Sequence, residues 1–181
     1  RTGLKNLVIA GGTCAYNPEP LADFIDLFSL GEGEDLTVEL LKLYQKAQAE
    51  GWTKEAYLKE AAKLDGVYVP AFYTHTYKED GTLAAITPDE GIPAVVTKRI
   101  VQDLDKAYFP ETVVMPYIET VQDRITVEVG RGCIRGCRFC QAGMIYRPVR
   151  EKTADVLNKQ AKCLYESTGY EEISLTSLSI S

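Results

Sequence analysis

Three cysteines fall within residues 133–140, Cys133, Cys137 and Cys140, directly after a run in which Ile125, Val127 and Val129 alternate with Thr126 and Glu128. Alternation of β-branched apolar with polar residues predicts a short strand over 125–129, so the cysteines open the loop at that strand's carboxyl end. Downstream, Thr153 is placed to start a helix to about residue 167, with Ala154, Leu157, Ala161 and Leu164 at helical spacing and Gly169 to end it. Residues 173–180 read as the next strand. Strand, cysteine loop, helix, strand is the βαβ unit that opens a barrel.

Gly132 and Gly136 let the backbone between the thiols bend tightly and bring amides toward sulfur, so the loop can fold around one inorganic centre. A structural zinc site closes with four ligands, and a ferredoxin-type carrier with four cysteines, whereas this motif supplies three. The single histidine, His75, is far away in sequence, and Cys14 or Cys163 reaches the motif only through the fold. Three thiolates on a four-iron cluster leave one iron open to a substrate. Zinc-binding module, closed iron-sulfur electron carrier, open cluster and three inert thiols all stand as readings of these residues.

The spacing of three and then two residues, with Phe139 immediately before the last cysteine, resembles the signature of the radical SAM superfamily. The resemblance implies that Cys133, Cys137 and Cys140 ligate a 4Fe-4S cluster and that S-adenosylmethionine binds the open iron, with Phe139 beside its adenine. It also implies a flavodoxin- or ferredoxin-like reductant, whose electron splits the sulfonium into methionine and a 5′-deoxyadenosyl radical. Ser174, Ser177, Ser179 and Ser181 stand where such barrels usually carry a polar or Gly-Gly-Glu-type segment for the amino group of S-adenosylmethionine. The residues that grip a substrate come from later strands, so the substrate stays unknown.

Toward the start, residues 4–10 form a continuous apolar run ending in Gly11-Gly12, a parallel strand feeding a tight loop. Pro18 and Pro20 suit the first turn of a short helix. Residues 25–30 read as a second strand, stopped by the Gly-Glu-Gly-Glu turn of 31–34. Over 35–46, Leu36, Leu40, Leu41, Leu43 and Tyr44 fall on one side of an amphipathic helix. This alternation is an α/β pattern. The segment resembles the last part of the Rossmann-like cobalamin-binding domain in front of many radical SAM barrels, with Gly11 and Gly12 as the loop near the cofactor's tail. The Asp-x-His-x-x-Gly segment that supplies a lower cobalt ligand in one class of those domains is absent, so cobalamin is an expectation for a full-length protein.

Between these parts, Thr53 caps a helix through residue 64 with Gly66 as its stop, and 67–77 and 82–86 flank Glu79-Asp80-Gly81 as a β-hairpin. His75, on the first arm, reads as an exposed or cross-strand residue with no role. Prolines at 88, 93, 110 and 116 punctuate a connector with one strand at 94–101. The expected organisation is therefore the C-terminal part of a cobalamin-binding-like α/β domain over 1–50, a helix, hairpin and linker over 51–120, and the start of a truncated TIM-type radical SAM barrel over 121–181.

Of 181 residues, 45% are hydrophobic and 25% charged, which excludes disorder as the default. The net charge of −6 gives no overall basic field for a nucleic-acid backbone, although Arg131, Arg135, Arg138, Arg147 and Arg150 gather where an anionic group would sit. No run is long enough for a membrane span, and the five cysteines, an odd number, suit a reducing, cytoplasmic compartment. The chain starts with Arg1 and stops at Ser181 inside a strand pattern, which reads as a fragment.

Overall fold

A computed structural model describes residues 2–118, 120, 121 and 123–179. The chain is mixed α/β with small sheets, and it divides into two units, residues 1–101 and 102–181.

In the first unit, β1 (Ile9–Gly11) pairs parallel with β2 (Leu27–Ser29), and β2 pairs antiparallel with β3 (Val67–Tyr68). Side chains alternate across a strand, and β2 uses both faces. Leu27 packs with Leu36 and Leu40 of α1 (Gly33–Ala49) and with Tyr57, Leu58 and Ala61 of α2 (Lys54–Ala61), while Phe28 packs against Ala15 and Tyr68. Both residues are fully buried. The apolar run expected as a strand over 4–10 begins instead with a 3-10 turn, Leu4–Asn6, and enters the sheet only at Ile9. The reason is a side chain in the ladder's place: Asp26 Oδ2 accepts the Val8 N–H at 2.7 Å. Asp26 also binds the buried Lys54 ammonium at 2.6 Å, which gives that cation the partner its burial requires.

α1 ends as its sequence asks. Gly51 takes φ +69, and its N–H and that of Trp52 return to Gln48 O and Ala47 O, which satisfies those two last-turn carbonyls. Thr53 then caps α2 by accepting the Ala56 N–H at 3.2 Å. Tyr57 is fully buried and donates its hydroxyl to Leu40 O at 3.2 Å.

Burial, and then the neighbouring Tyr44, push the Tyr57 phenol from 10.0 up to about 12. A proton kept in the folded state but released by the unfolded chain makes stability complete below pH about 10 and lost as pH rises through about 12. Urea unfolding between those limits should show a loss on the order of 2 kcal/mol. Tyr57→Phe should flatten that slope, and an unchanged slope would refute the assignment.

Residues 67–77 do not form one strand. Pro70, which fixes φ and lacks an N–H, starts a 3-10 turn over Pro70–Phe72 that sends β4 (Tyr73–Tyr77) into a separate hairpin with β5 (Leu83–Pro88). The hairpin turns where the sequence places it, with Gly81 at φ +80 and Asp80 Oδ1 accepting from the Thr82 N–H and hydroxyl. The strand expected over 94–101 reduces to a single bridge, Gly31 to Arg99. That segment is tied down by Leu30 and Glu32, just ahead of α1, which already takes in Gly33 and Glu34 of the expected turn: Arg99 N donates to Leu30 O at 2.8 Å, Glu32 N to Arg99 O at 2.9 Å, and Val101 N to Glu32 Oε2 at 2.5 Å.

The second unit carries the expected βαβ arrangement. β6 (Ile125–Glu128) and β9 (Ile173–Thr176) are parallel neighbours, with Val127 opposite Leu175, and α4 (Ala154–Thr168) covers Ile125 and Val127 through Leu157, Ala161 and Leu164. Thr153 caps α4 by accepting the Val156 N–H, and Gly169 ends it in the left-handed conformation at φ +74. Among the described residues no helix is long and apolar enough to cross a membrane.

Candidate metal centre

The cysteine loop leaves the carboxyl end of β6. Val129 N donates to Thr176 O at 2.9 Å, and β7 (Gly130–Arg131) then pairs antiparallel with β8 (Arg150–Glu151), so residues 132–149 form a loop with both ends held together. The sequence reading missed this two-stranded neck; such short ladders carry little pattern of their own. Gly132 makes the closure possible. Its φ is +98, and a side chain there would meet Tyr146 O at 2.7 Å and Pro148 O at 2.8 Å.

Within the loop Cys133 and Cys140 are half-buried and Cys137 is exposed. The Arg135 N–H points at Cys133 Sγ, 3.5 Å away, Gly136 turns the chain at φ +62, and Cys140 N donates to Cys137 O at 3.1 Å. α3 (Ala142–Ile145) follows. Beside Cys133 lies an open concavity of about 530 Å³, lined by Ile134, Arg147, Pro148 and Val149. Elsewhere in the loop Phe139, 92% exposed, and Met144 present apolar surface to solvent.

Among the described residues no three side chains of ligand type stand close enough to hold a metal ion. The three thiols share a loop without being gathered into a cage. Their chemistry still fits an iron-sulfur cluster: soft donors on one turn, glycine kinks at 132 and 136, and a backbone N–H already aimed at sulfur. Cys163 stands elsewhere, its thiol donating to Glu111 O at 3.1 Å.

Three of the five arginines at this loop have protein partners. Arg131 forms a bidentate pair with Glu128, Arg147 Nε donates to Gly143 O at 2.6 Å, and Arg150 Nε to Pro148 O at 3.3 Å. The sequence signal for the first was a carboxylate three residues ahead of an arginine, just before the motif.

In the first unit, Gly11 closes β1 opposite Ser29, and Gly12, at φ +86, has nothing within 4 Å of where a side chain would begin. His75 is less isolated than its sequence neighbours imply. Its Nε2 lies 3.3 Å from Glu19 Oε2, and Glu19 Oε1 accepts the Tyr68 hydroxyl. Burial first, then that hydrogen bond, raises the Tyr68 phenol above its usual range.

The candidate site of this mixed α/β chain is thus a loop of three thiols at the end of a βαβ strand, not gathered into a cage. Residues 1–70 match the family described as radical SAM proteins, N-terminal, a stretch that contains none of the three motif cysteines. The chain is also 30% identical over 152 residues to an uncharacterized protein of Methanocaldococcus jannaschii, covering 83% of this chain and 27% of that relative. It thus spans about a quarter of that relative's length. No solved structure matches significantly.

Proposed function

We propose that this chain carries the cluster-binding part of a radical SAM enzyme, with Cys133, Cys137 and Cys140 as ligands of a 4Fe-4S cluster. The reading rests on one observation: three thiols on a loop pinned at its base to the carboxyl end of β6, the position at which βα loops of barrels present their chemistry. When bound, such a cluster would pass one electron from a flavodoxin- or ferredoxin-like reductant to S-adenosylmethionine at its open iron, breaking a carbon–sulfur bond to give methionine and a 5′-deoxyadenosyl radical.

The chain's own residues then have positional tasks. Gly132 keeps the loop closed, the Arg135 N–H supports Cys133 sulfur, and Phe139 offers an exposed ring for an adenine face. In this reading the first unit is the end of a Rossmann-like domain, and β6, α4 and β9 open a TIM-type barrel. Gly12 leaves open backbone, with Gly11 packed against Ser29 beside it, where the tail of a cobalamin could approach in a full-length protein.

Purified without oxygen and supplied with iron and sulfide, the intact protein should hold about four irons per chain. With dithionite and S-adenosylmethionine it should release 5′-deoxyadenosine. One equivalent of zinc and no visible absorbance would instead make it a zinc-binding module and end this reading.

A further inference from the structure

We infer that Glu128 is a positioning residue for the cysteine loop and that, with Arg131, it sets the charge balance felt at the thiols; this rests on the cluster reading above. Glu128 is the last residue of β6. Its carboxylate accepts Arg131 Nε and Nη2 at 2.9 and 3.0 Å, and Lys152 Nζ lies 4.0 Å from its Oε2. Arg131 is on the outgoing strand of the neck, two positions ahead of Cys133, and Lys152 follows the returning strand. One carboxylate therefore draws together cations from both sides of the loop's base.

The surroundings make this a built arrangement. The Lys152 side chain is 5% exposed, donates to Gln160 Oε1 of α4 at 3.2 Å, and stands 5.6 Å from the Phe109 ring centroid. Its backbone N–H donates to Val129 O at 2.9 Å. A buried ammonium is costly without such partners, and a bidentate guanidinium–carboxylate pair fixes orientation as well as distance. Charges at the loop's base act on an anionic centre held in the loop: a cation favours its more negative, reduced form, and a carboxylate opposes it.

The test compares Glu128→Gln, Glu128→Asp and Arg131→Gln in the intact protein after reconstitution with iron and sulfide, by iron analysis, redox titration and the electron paramagnetic resonance signal of the reduced cluster. Glu128→Gln should bind iron about tenfold more weakly and shift the midpoint potential upward. Arg131→Gln should shift it downward, and Glu128→Asp, which keeps the charge, should hold it near the parent value. Opposite shifts are what a purely structural neck could not produce. If Glu128→Gln does not fold, the sign of the Arg131→Gln shift decides alone. Clusters that load normally and shift in the same direction, or not at all, overturn the inference. A parent protein without a cluster removes the cluster reading and this inference together, and that outcome is recognised before any variant is compared.

Discussion

Exchanging Cys133, Cys137 and Cys140 together for alanine is expected to reduce bound iron from about four per chain to background, and to abolish 5′-deoxyadenosine formation, without unfolding the protein. The expectation of an intact fold follows from where the thiols sit. Cys137 is exposed and the other two are half-buried, while the second unit's core is built from Ile125, Val127 and Leu164, none of them in the loop. On the proposed reading, binding would depend wholly on sulfur, because serine or alanine gives iron no comparable soft donor. Cys163→Ala is the matching control. Its thiol is engaged with Glu111 O, so iron content should be unchanged. Iron retained by the triple variant would move the ligands elsewhere, and iron lost from Cys163→Ala would give the site a fourth ligand and close it.

Gly31→Ala should strongly destabilise the first unit. Gly31 has φ +110, a conformation that side chains resist, and a Cβ there would lie 2.0 Å from Arg99 O and 2.6 Å from Arg99 N. Both neighbours are backbone, so neither can rotate away. The chain must separate, breaking the Leu30–Arg99 and Glu32–Arg99 hydrogen bonds and loosening the Val101–Glu32 bond that closes the unit. Backbone strain alone is about 1–3 kcal/mol, and with the overlap the loss should be roughly 3 kcal/mol or more, a large share of a typical domain's stability. Gly12→Ala tests the reasoning. Its φ is +86 but nothing lies within 4 Å, so it should lose only about 1 kcal/mol. Equal losses in urea unfolding would show that the close approach of Arg99 is not what constrains position 31.

The local elements were largely legible. Thr53 and Thr153 each cap the helix that follows them, Gly169 stops α4, and the Asp80-Gly81 turn closes its hairpin, because each is decided by residues adjacent in sequence. What escaped the sequence was decided at a distance. Residues 94–101 have the composition of a strand but find only the turn at Gly31 to pair with. Residues 67–77 are interrupted by Pro70, whose effect depends on which sheet each side joins. At the candidate centre the cysteines and glycines could be read directly. The neck of β7 and β8 could not, since two residues on each side leave no periodicity, and Glu19 meets His75 only through the fold.

β2 has no spare face, since Leu27 and Phe28 serve separate interiors on its opposite sides. A slip of one position would exchange the two and spoil both at once, so drift over time has nothing to try there. The exposed hairpin of β4 and β5 carries no such double duty. Descendants of a common ancestor should therefore diverge freely along the hairpin while keeping a large apolar pair at 27 and 28.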